Sequence, residues 1–200
     1  MALTTYANLK TAIANWVHRS DIATYADDLV TLAEARINRE VRAVEMETAL
    51  SSATASGVIA APTGFLELRS AYVDGSPTQP LRVMSAAYIY SKYPHRSSDS
   101  KPLLIGYDAG NLIFGPYPDS AYTIKGTYYK RQGPLSSAVY DLFTNHPDLF
   151  LFGALAETRA FLQDDKRVPL WENKYAQVRD SVNAQSQSIR TGGGMAMGMP

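Results

Sequence analysis

The chain has no cysteine, only three histidines, and no net charge, and each of these shortages removes a class of function. Without cysteine there are no disulfides, no thiol nucleophile and no thiolate metal site, a composition that fits a reducing cytoplasm. The histidines, His18, His95 and His146, stand in three separate segments, and none has a second histidine or a carboxylate at the helical spacing of a zinc motif. Lys and Arg number 19, as do Asp and Glu, so no overall field draws the chain to nucleic acid or to an anionic membrane. Long apolar runs are also missing. The longest, Leu149 to Ala156, falls far short of the roughly 18 residues that cross a bilayer. The opening Met1-Ala2-Leu3-Thr4-Thr5 lacks the basic and apolar segments of a secretory signal.

What remains is a sequence of 200 residues, enough for one domain or one domain with an insertion, and 46% hydrophobic, as globular proteins are. It is rich in tyrosine, with 13. Tyrosine favours sheets and interfaces because one end of the side chain is apolar and the other polar.

Helical periodicity occupies both ends of the chain. Tyr6, Leu9, Ile13, Trp16 and Val17 predict a helix over 5–19, and Val30, Ala33, Ile37, Val41 and Val44 predict one over 24–48. Thr24 followed by Asp27 has the form of a capping box for the second helix, and Arg36 and Glu40 are spaced to pair on its wet face. Small polar residues from Ser51 to Gly57 read as a connection.

From there to about residue 133 the signals are those of strands and turns. Phe65–Val73 has strand composition and ends on Asp74-Gly75, Leu81–Met84 can return beside it, and Ser85–Tyr93 reads as a short helix broken by Pro94. Residues 102–107 and 111–114 form a hairpin with a loop of three or four residues. Residues 121–131 are the longest strand candidate. Helical signals resume at Asn145-His146-Pro147-Asp148. The Leu149–Ala156 segment is apolar on every side and therefore belongs in a buried helix. Asp164-Asp165-Lys166-Arg167 makes a polar break, and Pro169 opens a last helix carrying Leu170, Trp171, Tyr175, Val178 and Val182, whose stripe fades after Gln185. The reading is an α+β fold: a helical bundle formed by both chain ends with an inserted antiparallel β-rich region. Its parts are residues 1–50 and 136–190 for the bundle, 51–135 for the insertion and 191–200 for a flexible Gly/Met tail.

Catalytic patterns do not emerge. There is no Gly-x-Ser-x-Gly elbow, no phosphate loop around Gly106, Gly110 and Gly115, and Asp164-Asp165 reads as a solvated helix cap rather than an acid and base pair. No catalytic, cofactor-binding or metal-binding residue is assigned, and no cofactor is expected. Arg36, Arg39 and Arg42 recur every third residue, but the interspersed Glu34, Glu40 and Glu45 cancel a phosphate-seeking field. They are kept as candidate protein–protein contacts, together with Met195, Met197 and Met199, whose side chains adapt to apolar pockets. Lys125, Lys130 and Arg131 beside Tyr128 and Tyr129 have the mixture seen in single-strand binders, but a strand with one wet face has it too.

Several segments, taken in order, resemble the head-to-tail adaptors of podovirus-type phages. Tyr6-Ala7-Asn8-Leu9 through Trp16-Val17-His18-Arg19 is similar to their first helix. Ala33-Glu34-Ala35-Arg36-Ile37-Asn38-Arg39, followed by Val41-Arg42, is similar to their second and is the most specific piece. Leu112–Pro118 with Tyr122 and Tyr128–Arg131 resembles their strand region, and Asn145–Glu157 their third helix, with Trp171 and Tyr175 where the last helix is expected. The resemblance implies a structural virion protein rather than an enzyme, in the neck or tail and assembled in the host cytoplasm. It would form a ring of about twelve copies under the portal vertex. Its implied partners are the portal protein, tail or nozzle proteins, further copies of itself, and the packaged DNA that passes without sequence-specific binding during genome ejection. No membrane partner is expected. The rival readings are a tail-associated cell-wall hydrolase, which needs a paired-carboxylate or metal cleft, another head-completion ring protein, and a helical DNA-binding regulator, which needs a basic recognition helix.

Overall fold

A computed structural model of the chain describes residues 3–19, 21–54, 57–95, 100–160 and 166–192. Asp164, Asp165, Met195, Met197 and Met199 therefore lie outside the described residues. The fold is mixed α+β and divides into two compact units, one of residues 1–46 and 132–200 and the other of residues 47–131.

The first unit is helical. Helix α1 (Tyr6–Val17) starts where the Thr5 hydroxyl accepts the Asn8 N–H at 3.2 Å, and ends at His18, whose φ of 58° turns the chain out of the helix. Helix α2 spans Ile22–Glu40. It begins before the Thr24/Asp27 pair, and Asp27 does not cap it: its carboxylate accepts the Tyr6 hydroxyl at 2.5 Å and pairs with Lys10 at 2.7 Å. It also stops eight residues short of the expected end. Val41 is extended, and Val44–Met46 form a single 3-10 turn. Val41 and Met46 are fully buried all the same, so an apolar spacing that looked helical is met by an extended segment.

Helix α4 (Asp141–Asn145) leads into α5 (Pro147–Glu157), buried on all sides through Leu149, Phe150, Leu151, Gly153, Ala154, Leu155 and Ala156. Helix α6 (Val168–Thr191) buries Trp171, Tyr175 and Val182. It continues six residues beyond Gln185, where the apolar stripe fades. Polar contacts hold this last part: the Val44 N–H donates to Ser186 Oγ at 3.2 Å, and Arg190 donates to the Arg42 carbonyl at 2.5 Å.

The second unit is one seven-stranded sheet in the order β1-β7-β3-β4-β5-β6-β2. Its strands are β1 (Glu47–Ala53), β2 (Val58–Ala60), β3 (Phe65–Val73), β4 (Gln79–Val83), β5 (Leu104–Asp108), β6 (Asn111–Gly115) and β7 (Thr123–Lys130). The two edge strands, β1 and β2, are joined by only four residues, so Ala53 and Val58 lie at most about 18 Å apart, and the sheet must curl until its edges approach. One core fills the curl, with Leu50, Leu68, Val73, Ile105, Phe114 and Ile124 inside.

Three expectations need correction here. Ser51–Ala53 is not a connection but the end of β1, paired in register with Lys125, Ile124 and Thr123. Its small side chains give no strand signal, and the backbone ladder alone holds it. The hairpin between β5 and β6 has a two-residue turn, Ala109-Gly110, with φ of 45° and 83°, as a type I′ turn requires. Finally, the insertion is not wholly antiparallel. Strands β4 and β5 run parallel, Arg82 opposite Leu104 and Val83 opposite Ile105. Helix α3 (Ala86–Lys92), capped by Ser85, makes the crossover that a parallel pair needs and seats Ile89 against Leu104 and Ile113.

Candidate functional site

The densest polar structure among the described residues is built by α2, from the segment Glu34-Ala35-Arg36-Ile37-Asn38-Arg39-Glu40. Its polar residues point in different directions, and each holds a different part of the helical unit.

Glu34 is buried at 8% exposure. One of its carboxylate oxygens accepts the Leu135 N–H at 2.7 Å and the Tyr140 hydroxyl at 2.8 Å. Burial, together with the Glu34 charge, pushes the Tyr140 hydroxyl well above the usual tyrosine range, so it stays protonated and donates. One turn later Asn38, 5% exposed, meets Gln132 in both directions. Its amide donates to the Gln132 carbonyl and its oxygen accepts the Gln132 N–H, both at 2.9 Å, and the same amide reaches the Glu34 carbonyl at 2.8 Å. A carboxylate and an amide thus fix the segment that leads from Gln132 to α4.

Arg36 faces the other way, toward α5 and α6. Its guanidinium donates to both carboxylate oxygens of Glu172, to Glu40 at 3.1 Å, and lies 3.6 Å from Glu157. It also stacks 4.3 Å over the ring of Tyr175. This is the planar, bidentate use of arginine that lysine cannot copy. Arg179 adds a second cation to Glu40 at 3.0 Å. The hydrogen bond from Arg36 holds the Glu172 carboxyl below its ordinary pKa in spite of partial burial. For Glu40, burial works to raise the pKa, but the hydrogen bonds from Arg179 and Arg36 outweigh it and the net shift is downward. Groups depressed in the folded state contribute stability that is present above their unfolded pKa, about 4.3, and lost as pH falls through the folded value. The melting temperature is therefore expected to fall between about pH 5 and pH 3, and less steeply in Arg36→Met. Thermal denaturation followed across that range checks both.

The three arginines of the expected strip have three environments. Arg36 is only 17% exposed and held in the network just described. Arg39 is exposed on the last turn of α2, and Arg42 lies beyond the helix, donating to the Asn38 carbonyl at 3.0 Å and the Val41 carbonyl at 2.7 Å. They do not form one continuous basic face. The spacing carried no sign of the Asn38–Gln132 pairing or of the Arg36–Glu172 bridge, because their partners lie about a hundred residues or more away.

The histidines also separate. His18 ends α1, His146 joins α4 to α5 with Nε2 3.4 Å from Glu45, and His95 is exposed. Among the described residues, no group of three His, Asp or Glu is placed to hold a metal ion. The acids Glu40, Glu157 and Glu172 come together around a guanidinium rather than across an open cleft. Lys125 pairs with Asp74 at 2.7 Å, while Tyr128 and Tyr129 are both buried, so the aromatic and basic mixture of β7 is not an exposed stacking platform. No helix among the described residues is long and apolar enough to cross a membrane.

Fold and polar clusters together define an α+β protein whose most elaborate chemistry holds its own helices in place. The chain belongs to the SU10 adaptor protein family, whose model matches residues 4–197. It is thus a phage adaptor, a structural component placed in the neck of the virion between portal and tail. No curated protein matches the chain.

Proposed function

We propose that this chain forms a ring under the portal vertex, joins the capsid to the tail and lines the channel through which DNA leaves. The observation that supports this most is the reach of the family match, 4–197, which takes in the helical and the β-rich unit alike. The adaptor role then belongs to the whole fold and not to one grafted segment.

In this reading, helices from both chain ends make the ring wall, and the β-rich unit faces the tail or a neighbouring copy. The polar network of α2 keeps the wall rigid. Arg39 and the methionines Met195, Met197 and Met199 contribute contacts to portal or neighbour. Zero net charge suits a channel in which DNA slides, since pairing many phosphates would hold it in place.

The test is the mass of the purified protein by light scattering, alone and mixed with its portal. A ring-sized complex in the presence of portal is expected. A protein that stays monomeric and ignores the portal would overturn the reading.

A further inference from the structure

The zero net charge of the chain conceals a division. Residues 47–131 carry eight Lys and Arg against six Asp and Glu, while the rest of the chain carries eleven against thirteen. The excess positive charge of the β-rich unit includes Arg82 at the end of β4 and Lys92 at the end of α3. They line one groove of about 460 Å³ with Gln79, Pro80, Tyr93 and Leu103. No carboxylate among the described residues pairs with Arg82 or Lys92. Beside them Leu103, which lines the groove, is 47% exposed, and Tyr88, whose ring lies 6.0 Å from Lys92, is 42% exposed. Two cations on an apolar rim call for a carboxylate flanked by apolar side chains.

The helical unit presents such a surface. Helix α2 buries Leu29, Val30, Ala33 and Ile37, but it has a second stripe at spacings of three and four: Tyr25, Asp28 and Leu32. Leu32 is half exposed and Tyr25 is 42% exposed. Asp28 is exposed between them, with no cation among the described residues paired to it. Leu32, half exposed on a helix whose opposite face is buried, sets apolar surface beside this carboxylate.

We infer that the Arg82–Lys92 groove of one copy takes the Tyr25–Asp28–Leu32 stripe of a second copy. Arg82 and Lys92 flank the Asp28 carboxylate, and Leu32 meets Leu103. The two surfaces differ, so the contact is head to tail, the kind that closes into a ring when its rotation divides the circle. This rests on the ring reading above and names the faces that would carry it.

The absence of cysteine makes the test clean. A chain carrying both Leu32→Cys and Leu103→Cys, assembled with its portal and mildly oxidised, should give a ladder of covalent dimers, trimers and larger species. Mixed single variants should stop at dimers, and each alone should give none. Arg82→Glu should weaken self-association about tenfold, and Asp28→Lys should restore much of the loss. Light scattering on the same samples separates the two ideas. Ring-sized mass without a ladder, a disulfide confined within one chain, or dimers from a single variant would overturn these faces and leave the ring standing. No assembly at all would overturn both.

Discussion

Gly126→Val should be among the most damaging single changes in this chain, lowering stability by about 3 kcal/mol. Gly126 sits in the middle of β7, between Leu50 of β1 and Ala71 of β3. A Cβ at this position would lie 2.1 Å from the Ser70 carbonyl oxygen and 2.8 Å from the Ala71 Cα. Both are backbone atoms, so neither can step aside as a flexible side chain would. The close approach lies beside a register shift in the β3–β7 pairing between Leu68 and Ser70. Any side chain must force β3 and β7 apart, and the core of Leu50, Leu68, Ala71 and Ile124 opens with them. Thermal denaturation, with hydrogen exchange over residues 47–131, checks both size and place. Near-wild-type protection of β3 and β7 would show that the sheet can absorb the bulk.

Asn38→Leu should cost about 3 kcal/mol. The volume is nearly unchanged, so no cavity offsets the comparison. The substitution removes the two bonds to Gln132 and the bond to the Glu34 carbonyl. It places an apolar side chain against polar groups of Gln132 and Glu34 that had been paired with it. An exposed amide would lose little on such a change, because water replaces the partner, but Asn38 is 5% exposed. Denaturant unfolding of the two proteins gives the difference. A midpoint that does not move would mean that water enters and takes over the bonds. Arg39→Leu, one residue along and exposed, is the control and should change stability by under about 0.5 kcal/mol.

The most specific segment of the sequence, Ala33–Arg39, has a meaning that its spacing could not disclose. Arg36, Arg39 and Arg42 stand every third residue, and on paper they suggest a basic strip. In the fold α2 ends before Arg42, and Arg36 turns inward to Glu172 and Tyr175, leaving Arg39 as the exposed member. Pairing over such separations is set by where the chain returns, and residue spacing within one helix contains nothing about that. Local periodicity locates the centre of α2 but not its ends, for the same reason. Asp27 had a capping role by local rules but is taken by Tyr6 and Lys10 from α1. Val41 and Val44 kept helical spacing while following other backbone paths.

By itself the sequence determined what local physics controls. Apolar periodicity and the proline positions marked α1, the middle of α2, α5 and the start of α6, and the unbroken apolar run of Leu149–Ala156 marked α5 as buried. Phe65–Val73 carried its strand in its composition, and colinear segments carried the family. Tertiary structure decided the rest. Strand β1 runs through Ser51–Ala53 because β7 offers it a ladder, β4 and β5 lie parallel because α3 carries the chain across, and the polar residues of α2 find partners that close the helical unit. Periodicity reports which face of an element is apolar. Which element meets that face depends on contacts between distant residues, and these exist only once the chain has folded.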